Sequence, residues 1–218
     1  MEWKTRLGVP KRAVFLYNTC VEARTPVPCR DIDEALYEPR RDKLLREYAT
    51  VHAADGYDDV FGSVLRVVCQ AYDADADAFW VFAFIVGLQR PYRPIHSETD
   101  FNKRVDQTFT DLRVELCLAD PQLMSVLETT LRQVLPSVVA RWHATWFACI
   151  GASVDIYDAL VHTRKRARLL NLLAAQIFLR ASANIPRTIN QRNGIYHAVF
   201  RYRILDGAAL LDDAQRRL

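Results

Sequence analysis

The sequence is poor in turn residues. Seven glycines and nine prolines stand among 218 residues, about 7% of the chain where ordinary usage gives about 12%. That scarcity excludes the many tight turns of a β-sandwich or barrel. An excess of one charge is also missing: 29 basic residues face 26 acidic ones, a net charge of +3, too balanced to imply nucleic acid. Long apolar runs are absent. The longest, Ala78 to Leu88, has eleven residues, about half of what a membrane helix needs, and it reads as a buried core segment. The opening MEWKTRLGVPKR has no stretch of signal-peptide type. The five cysteines, Cys20, Cys29, Cys69, Cys117 and Cys149, form no C-x-x-C pair. They read as reduced thiols used as small core residues, which points to the cytosol and away from zinc. His52, His96, His143, His162 and His197 share no ligand spacing, and no glycine-rich loop exists to cradle phosphate. No metal, cofactor or nucleotide site of its own is therefore expected.

What is present is apolar mass. Half of the residues are hydrophobic and a quarter are charged, which excludes a disordered chain and supplies a sizeable core. Apolar residues recur at helical spacing almost throughout. Ile32 to Ala54 predicts a loose helix broken near Pro39, and Asp55-Gly56 a stop. Phe61 to Val68 predicts a helix with a wide apolar face. Asp73, Asp75 and Asp77 precede the core helix Ala78–Leu88, where acidic groups complement the helix dipole. Phe101 to Leu118 is amphipathic. Asp120-Pro121 carries a cap and a first-turn proline. Pro136 opens a helix through Trp142, Trp146 and Phe147, interrupted by Gly151. Asp155 to Leu160 and Ala167 to Leu179 predict two more, and Ile195 to Leu211 one further helix. No convincing alternating strand appears, so the expected fold is all-α: a single-domain helical array over residues 1–218. The basic run Arg164-Lys165-Arg166-Ala167-Arg168 reads as the solvated opening of the last core helix; contact with phosphates or an anionic membrane surface is the alternative.

The order of several landmarks carries a resemblance. Trp3-Lys4-Thr5-Arg6-Leu7-Gly8 is similar to the opening W-x-x-x-L-G of the TBC domain, the GTPase-activating domain for Rab proteins. Arg24-Thr25-Pro26 resembles the R-T-x-P around that family's catalytic arginine, with the proline one residue early. Gly56-Tyr57 resembles the start of its G-Y-x-Q-G signature. Asp75-Ala76-Asp77-Ala78-Phe79-Trp80-Val81-Phe82 is close to E-x-D-A-F-W-x-F. Trp142 and Phe147 match W-x-x-x-x-F, and Tyr157-Asp158-Ala159-Leu160 sits where the family has W-D-x-L. Arg24 and Asp59 are 35 residues apart, similar to the family's spacing between arginine and glutamine, and Gly56 to Trp80 matches without a gap. The resemblance runs from Trp3 to about Leu179, with C-terminal helices over 180–218, and implies the TBC fold.

The resemblance also implies a dual-finger mechanism in trans on a GTP-bound Rab GTPase. Arg24 takes the place of the arginine that neutralises charge on the transferred phosphoryl group, and Asp59 the place of the glutamine that orients water. Thr25, Pro26, Gly56, Tyr57 and Asp58 surround them as candidate partner-binding residues. The departures are informative. The Ile and Asp of the family's I-x-x-D-x-x-R are replaced by Asn18 and Val21, and Glu22 is one residue out of register. Asp59 is shorter than glutamine, has no amide donor and is negative beside a phosphate. Val60 replaces the following glycine, and a β-branched residue resists positive φ. The expectation is an activator weakened by loss of the glutamine finger, or a TBC-like scaffold binding a GTPase or a regulatory complex without catalysis. Either would act in the cytoplasm or peripherally on endomembranes.

Overall fold

The computed structural model describes residues 34–52, 61–92, 98–131, 135–186 and 192–218. Among them are ten α-helices: α1 Glu34–Val51, α2 Phe61–Ala71, α3 Asp75–Gln89, α4 Glu98–Ala119, α5 Pro121–Leu131, α6 Leu135–Ala144, α7 Val154–His162, α8 Arg166–Ala181, α9 Arg192–Arg201 and α10 Gly207–Gln215. Short 3-10 turns at Arg90–Tyr92 and Ala148–Ile150 join some of them, and the described residues contain no strand. The all-α expectation holds for this part of the chain.

The array is organised around α8. Every residue from Leu169 to Phe178 is buried, so this helix has no solvent face over nearly three turns, as a helix apolar on all sides demands. It packs on α4 and α10 most extensively, and also on α6, α7 and α9. A second cluster is aromatic. Tyr48 of α1 meets Phe61 of α2 at 5.4 Å and Phe82 of α3 at 5.1 Å, both edge-on, and Phe61 meets Phe82 at 5.6 Å. These T-shaped contacts add roughly 0.5–1.5 kcal/mol each to the area they bury.

Local chemistry explains several boundaries. Asp120 caps α5 by accepting the Leu123 amide at 2.8 Å, as its place before Pro121 predicts. Helix α1 runs through Pro39, so the expected break is absent there. The helix from Pro136 ends earlier than expected, at Ala144. Phe147 donates its amide to Trp142 at 2.8 Å and Trp146 to His143 at 3.3 Å, the paired bonds of a Schellman ending. Its accompanying apolar contact is Trp142 on Phe147, 6.2 Å between centroids. The position that normally takes glycine is Trp146, at φ 48°, followed by Phe147 at φ 66°. Both are fully buried, so packing holds two aromatic residues in the left-handed region against their backbone preference.

The C-terminal tail is two helices rather than one. Ile204 donates to the Ile150 carbonyl at 2.9 Å, pinning the linker, and Asp206 restarts the helix by accepting from the Ala209 amide at 2.9 Å. Cys69 is a buried thiol as expected, and burial pushes it up to about 11. Cys117 is exposed on α4, contrary to the core reading, because its position follows the solvent stripe of an amphipathic helix. Cys20 and Cys29 lie outside the described residues.

Candidate functional site

Arg24 and Asp59, with Thr25, Pro26, Gly56, Tyr57 and Asp58, lie outside the described residues, as do the Trp3 and Gly8 landmarks. What the structure places is the frame on either side of residues 53–60. Before them, His52 stacks on Tyr48 at 4.5 Å. After them, Phe61 meets the same Tyr48 ring. The Gly56–Asp59 stretch is therefore bracketed in sequence by two residues seated on one buried aromatic cluster.

A polar clamp holds that frame together. Arg40 of α1 donates from Nε to Asp75 at 2.9 Å and from Nη2 to the carbonyls of Tyr72 and Asp73, both at 2.8 Å. Lys43 reaches the other Asp75 oxygen at 2.7 Å. Hydrogen bonds from Lys43 and Arg40 hold the Asp75 carboxyl below its ordinary value. Asp75, expected to complement the dipole of α3, also ties α1 to the α2–α3 connection. The sequence pattern gave no sign of this, since Arg40 and Asp75 are 35 residues apart.

The remaining landmarks of the resemblance are structural. Phe79 and Phe82 are buried, and Trp80 packs edge-on to Phe79 at 5.0 Å. Trp142 is buried against Phe178 at 5.2 Å. Tyr157 is buried, and its hydroxyl donates to the Thr145 carbonyl at 2.6 Å; burial raises its pKa, so the phenol stays protonated and able to donate. That bond fixes the connection carrying Trp146 and Phe147 to α7. Asp158 lies half-buried on α7, with its carboxylate 3.2 Å from His162 Nδ1.

The basic run has assignable tasks. Arg166 donates to the carbonyls of Leu160 at 2.7 Å and Val161 at 3.3 Å, closing the C-terminus of α7, while its guanidinium lies 5.6 Å over the Trp146 ring. Lys165 and Arg168 donate to the backbone oxygens of Leu218 and Arg217, at 3.3 and 3.1 Å. The run thus welds α7, α8 and the last turn after α10, and cations at those exposed carbonyls complement the helix dipole.

Among the described residues no cluster of His, Cys, Asp or Glu is placed to hold a metal ion, and no helix is long and apolar enough to cross a membrane. Comparison of the chain with protein-family models, with curated proteins and with solved structures gives no match.

Proposed function

We propose that the chain is a small-GTPase regulator of the TBC type, acting in trans on a GTP-bound Rab protein. The observation that carries this reading is the order and spacing of its landmarks, from Trp3 through Arg24, Gly56-Tyr57 and Phe79-Trp80 to Tyr157-Asp158. The helical architecture of the described residues is in keeping with it, as is the burial of Phe79, Phe82, Trp142 and Tyr157, which suits residues that build a fold. In this reading Arg24 is the arginine finger. A guanidinium supplied in trans offers permanent charge and a planar fork of donors to the transferred phosphoryl group, and such fingers contribute roughly 10³ to 10⁵ in rate. Asp59, at the glutamine position, leaves water orientation to the GTPase's own glutamine. The protein then contributes one residue to a partner's active site and has no complete active site of its own.

Asp59 and Val60 favour a second reading, a catalytically silent TBC-like scaffold that binds a GTPase or a regulatory complex. Both readings place the chain in the cytoplasm or peripherally on endomembranes, with no nucleic-acid partner. Single-turnover GTP hydrolysis by a panel of Rab proteins separates them, using wild type, Arg24→Ala and Asp59→Gln. An activator accelerates hydrolysis and loses the acceleration in Arg24→Ala. A scaffold binds without accelerating and is indifferent to that substitution. A decayed activator gains activity in Asp59→Gln. Absence of binding to every GTPase in every nucleotide state, including a transition-state mimic, rejects both readings.

A further inference from the structure

Helices α7 and α10 run side by side in the same direction. At one end Gly207 lies against Ser153 and Ile156; at the other Lys165 bonds the Leu218 backbone oxygen. Between them is an open groove of about 820 Å³. Its walls are two stripes of matching period. Asp155, Asp158, Ala159 and His162 line it from α7, and Ala208, Leu211, Asp212 and Gln215 from α10. Both follow the i, i+3, i+4, i+7 spacing of one helix face. Leu169 of α8 contributes to the apolar lining. Seven residues of helix rise about 10 Å, or two turns, which sets the length of a guest helix that the walls can contact.

The acidic residues of the groove differ in pairing from the two clamped aspartates of the fold. Asp75 is paired with Arg40 and Lys43, and Asp213 with Arg180 and Arg216. Among the described residues no lysine or arginine forms an ion pair with Asp155, Asp158 or Asp212. His162 Nδ1 is 2.7 Å from the Asp158 backbone oxygen and only 3.2 Å from its carboxylate. Burial and the neighbouring Asp155 push the Asp158 carboxyl up, and His162 beside it offsets part of this. Arg164 and His162 line the same groove, so three carboxylates face one guanidinium and one imidazole.

We propose that the groove between α7 and α10 docks a helical segment of another protein, with aliphatic side chains on its apolar lining and lysine or arginine against Asp155, Asp158 and Asp212. Small residues on both walls, Ala159 and Ala208, let a guest backbone approach. An aliphatic stripe flanked by cations matches the lining in both chemistry and period, which is the helix-in-groove mode of recognition. The carboxylates supply selectivity and steering.

The test uses the full chain and a fluorescein-labelled 15-residue peptide of leucine and lysine, with leucine at i, i+3, i+4 and i+7. Two controls accompany it, one with every lysine replaced by glutamate and one of scrambled order. Fluorescence anisotropy at physiological salt should show binding of the leucine–lysine peptide and binding at least about tenfold weaker for both controls. The double variant Asp155→Asn, Asp212→Asn should weaken binding about tenfold, and Ala208→Gln, which narrows the groove without touching charge, should weaken it too. Amide NMR shifts should cluster on α7 and α10. Equal binding of the scrambled peptide, indifference to both sets of variants, or shifts elsewhere would overturn the proposal. So would binding of free guanidinium or of anionic vesicles in place of the peptide. No GTPase enters this experiment, so its outcome is independent of the Rab reading.

Discussion

Acid should destabilise this protein through His143 between pH 7 and pH 5. The imidazole is buried on α6, 5.9 Å from the Phe147 ring. Burial pushes its pKa from 6.5 down to about 3, and a backbone hydrogen bond at Leu170 offsets only part of this. The folded value lies below the unfolded one. Between the two, the unfolded chain binds a proton that the folded chain refuses, so stability falls as pH drops through about 6.5. With these values the loss between pH 7 and pH 5 is about 2 kcal/mol. The figure is insensitive to the folded value, because any pKa below about 4 leaves the folded imidazole neutral at pH 5. It is set almost wholly by protonation of the unfolded chain. The loss is a substantial fraction of the roughly 5–15 kcal/mol that holds a domain folded. Urea denaturation at pH 7 and pH 5 measures it as a midpoint shift of about 0.7–1 M, for a slope of about 2–3 kcal/mol per molar. His143→Gln keeps a donor and cannot titrate in this range. Its stability should depend less on pH by that same 2 kcal/mol, whatever its stability at pH 7; His143→Leu provides a second non-titrating comparison. Other histidines contribute equally to wild type and variant and cancel in the difference. Equal pH dependence in wild type and both variants would refute the assignment.

Other perturbations test the packing. A Cβ at Gly207 would stand 2.9 Å from the Ser153 Cβ and closer still to its hydroxyl. Gly207→Ala should therefore cost about 1–3 kcal/mol in thermal or urea unfolding, and Ser153→Gly in the same chain should restore most of it. Tyr157→Phe removes the 2.6 Å bond to Thr145 while that carbonyl keeps the Ala148 amide at 3.1 Å; about 0.5–1.5 kcal/mol of stability should be lost, with the near-ultraviolet signal of Trp146 altered. Arg40→Ala deletes two hydrogen bonds from α1 to the α2–α3 connection and one to the start of α3, and it should lower the melting temperature more than Lys43→Ala, which deletes one on the exposed side. Asp206→Ala removes the cap on the Ala209 amide and should cost about 1 kcal/mol, with faster amide exchange confined to α10.

Helices were legible where local chemistry and packing agree. The wide apolar face of α2 and the Asp120-Pro121 start of α5 are written in adjacent residues, and both occur where the pattern places them. The end of α6 was not legible, because the usual sign of such an ending is glycine and here the left-handed residue is Trp146. Its conformation is imposed by contacts with Tyr157 and Arg166, eleven and twenty residues downstream. The division of the tail was not legible, because the Ile204 bond to Ile150 that separates the helices is tertiary. The docking groove belongs to the same class. The stripe on α7 and the stripe on α10 are each visible as spacing, yet nothing local says that the two helices lie together.

The same division bears on the GTPase reading. The landmarks that lie in the described residues, Phe79, Trp80, Trp142, Phe147 and Tyr157, are buried or packed against the core. They speak for architecture, since their burial must be satisfied whatever the chain does. On the proposed reading, Arg24 and Asp59 would answer to a partner's nucleotide instead. On that reading, the landmarks and the fingers meet different physical demands. For that reason Arg24→Ala and Asp59→Gln should be followed by both unfolding and hydrolysis. Unchanged unfolding midpoints with altered hydrolysis would assign the two residues to chemistry. Midpoints that shift together with binding would assign them to the scaffold and remove Arg24 from the mechanism.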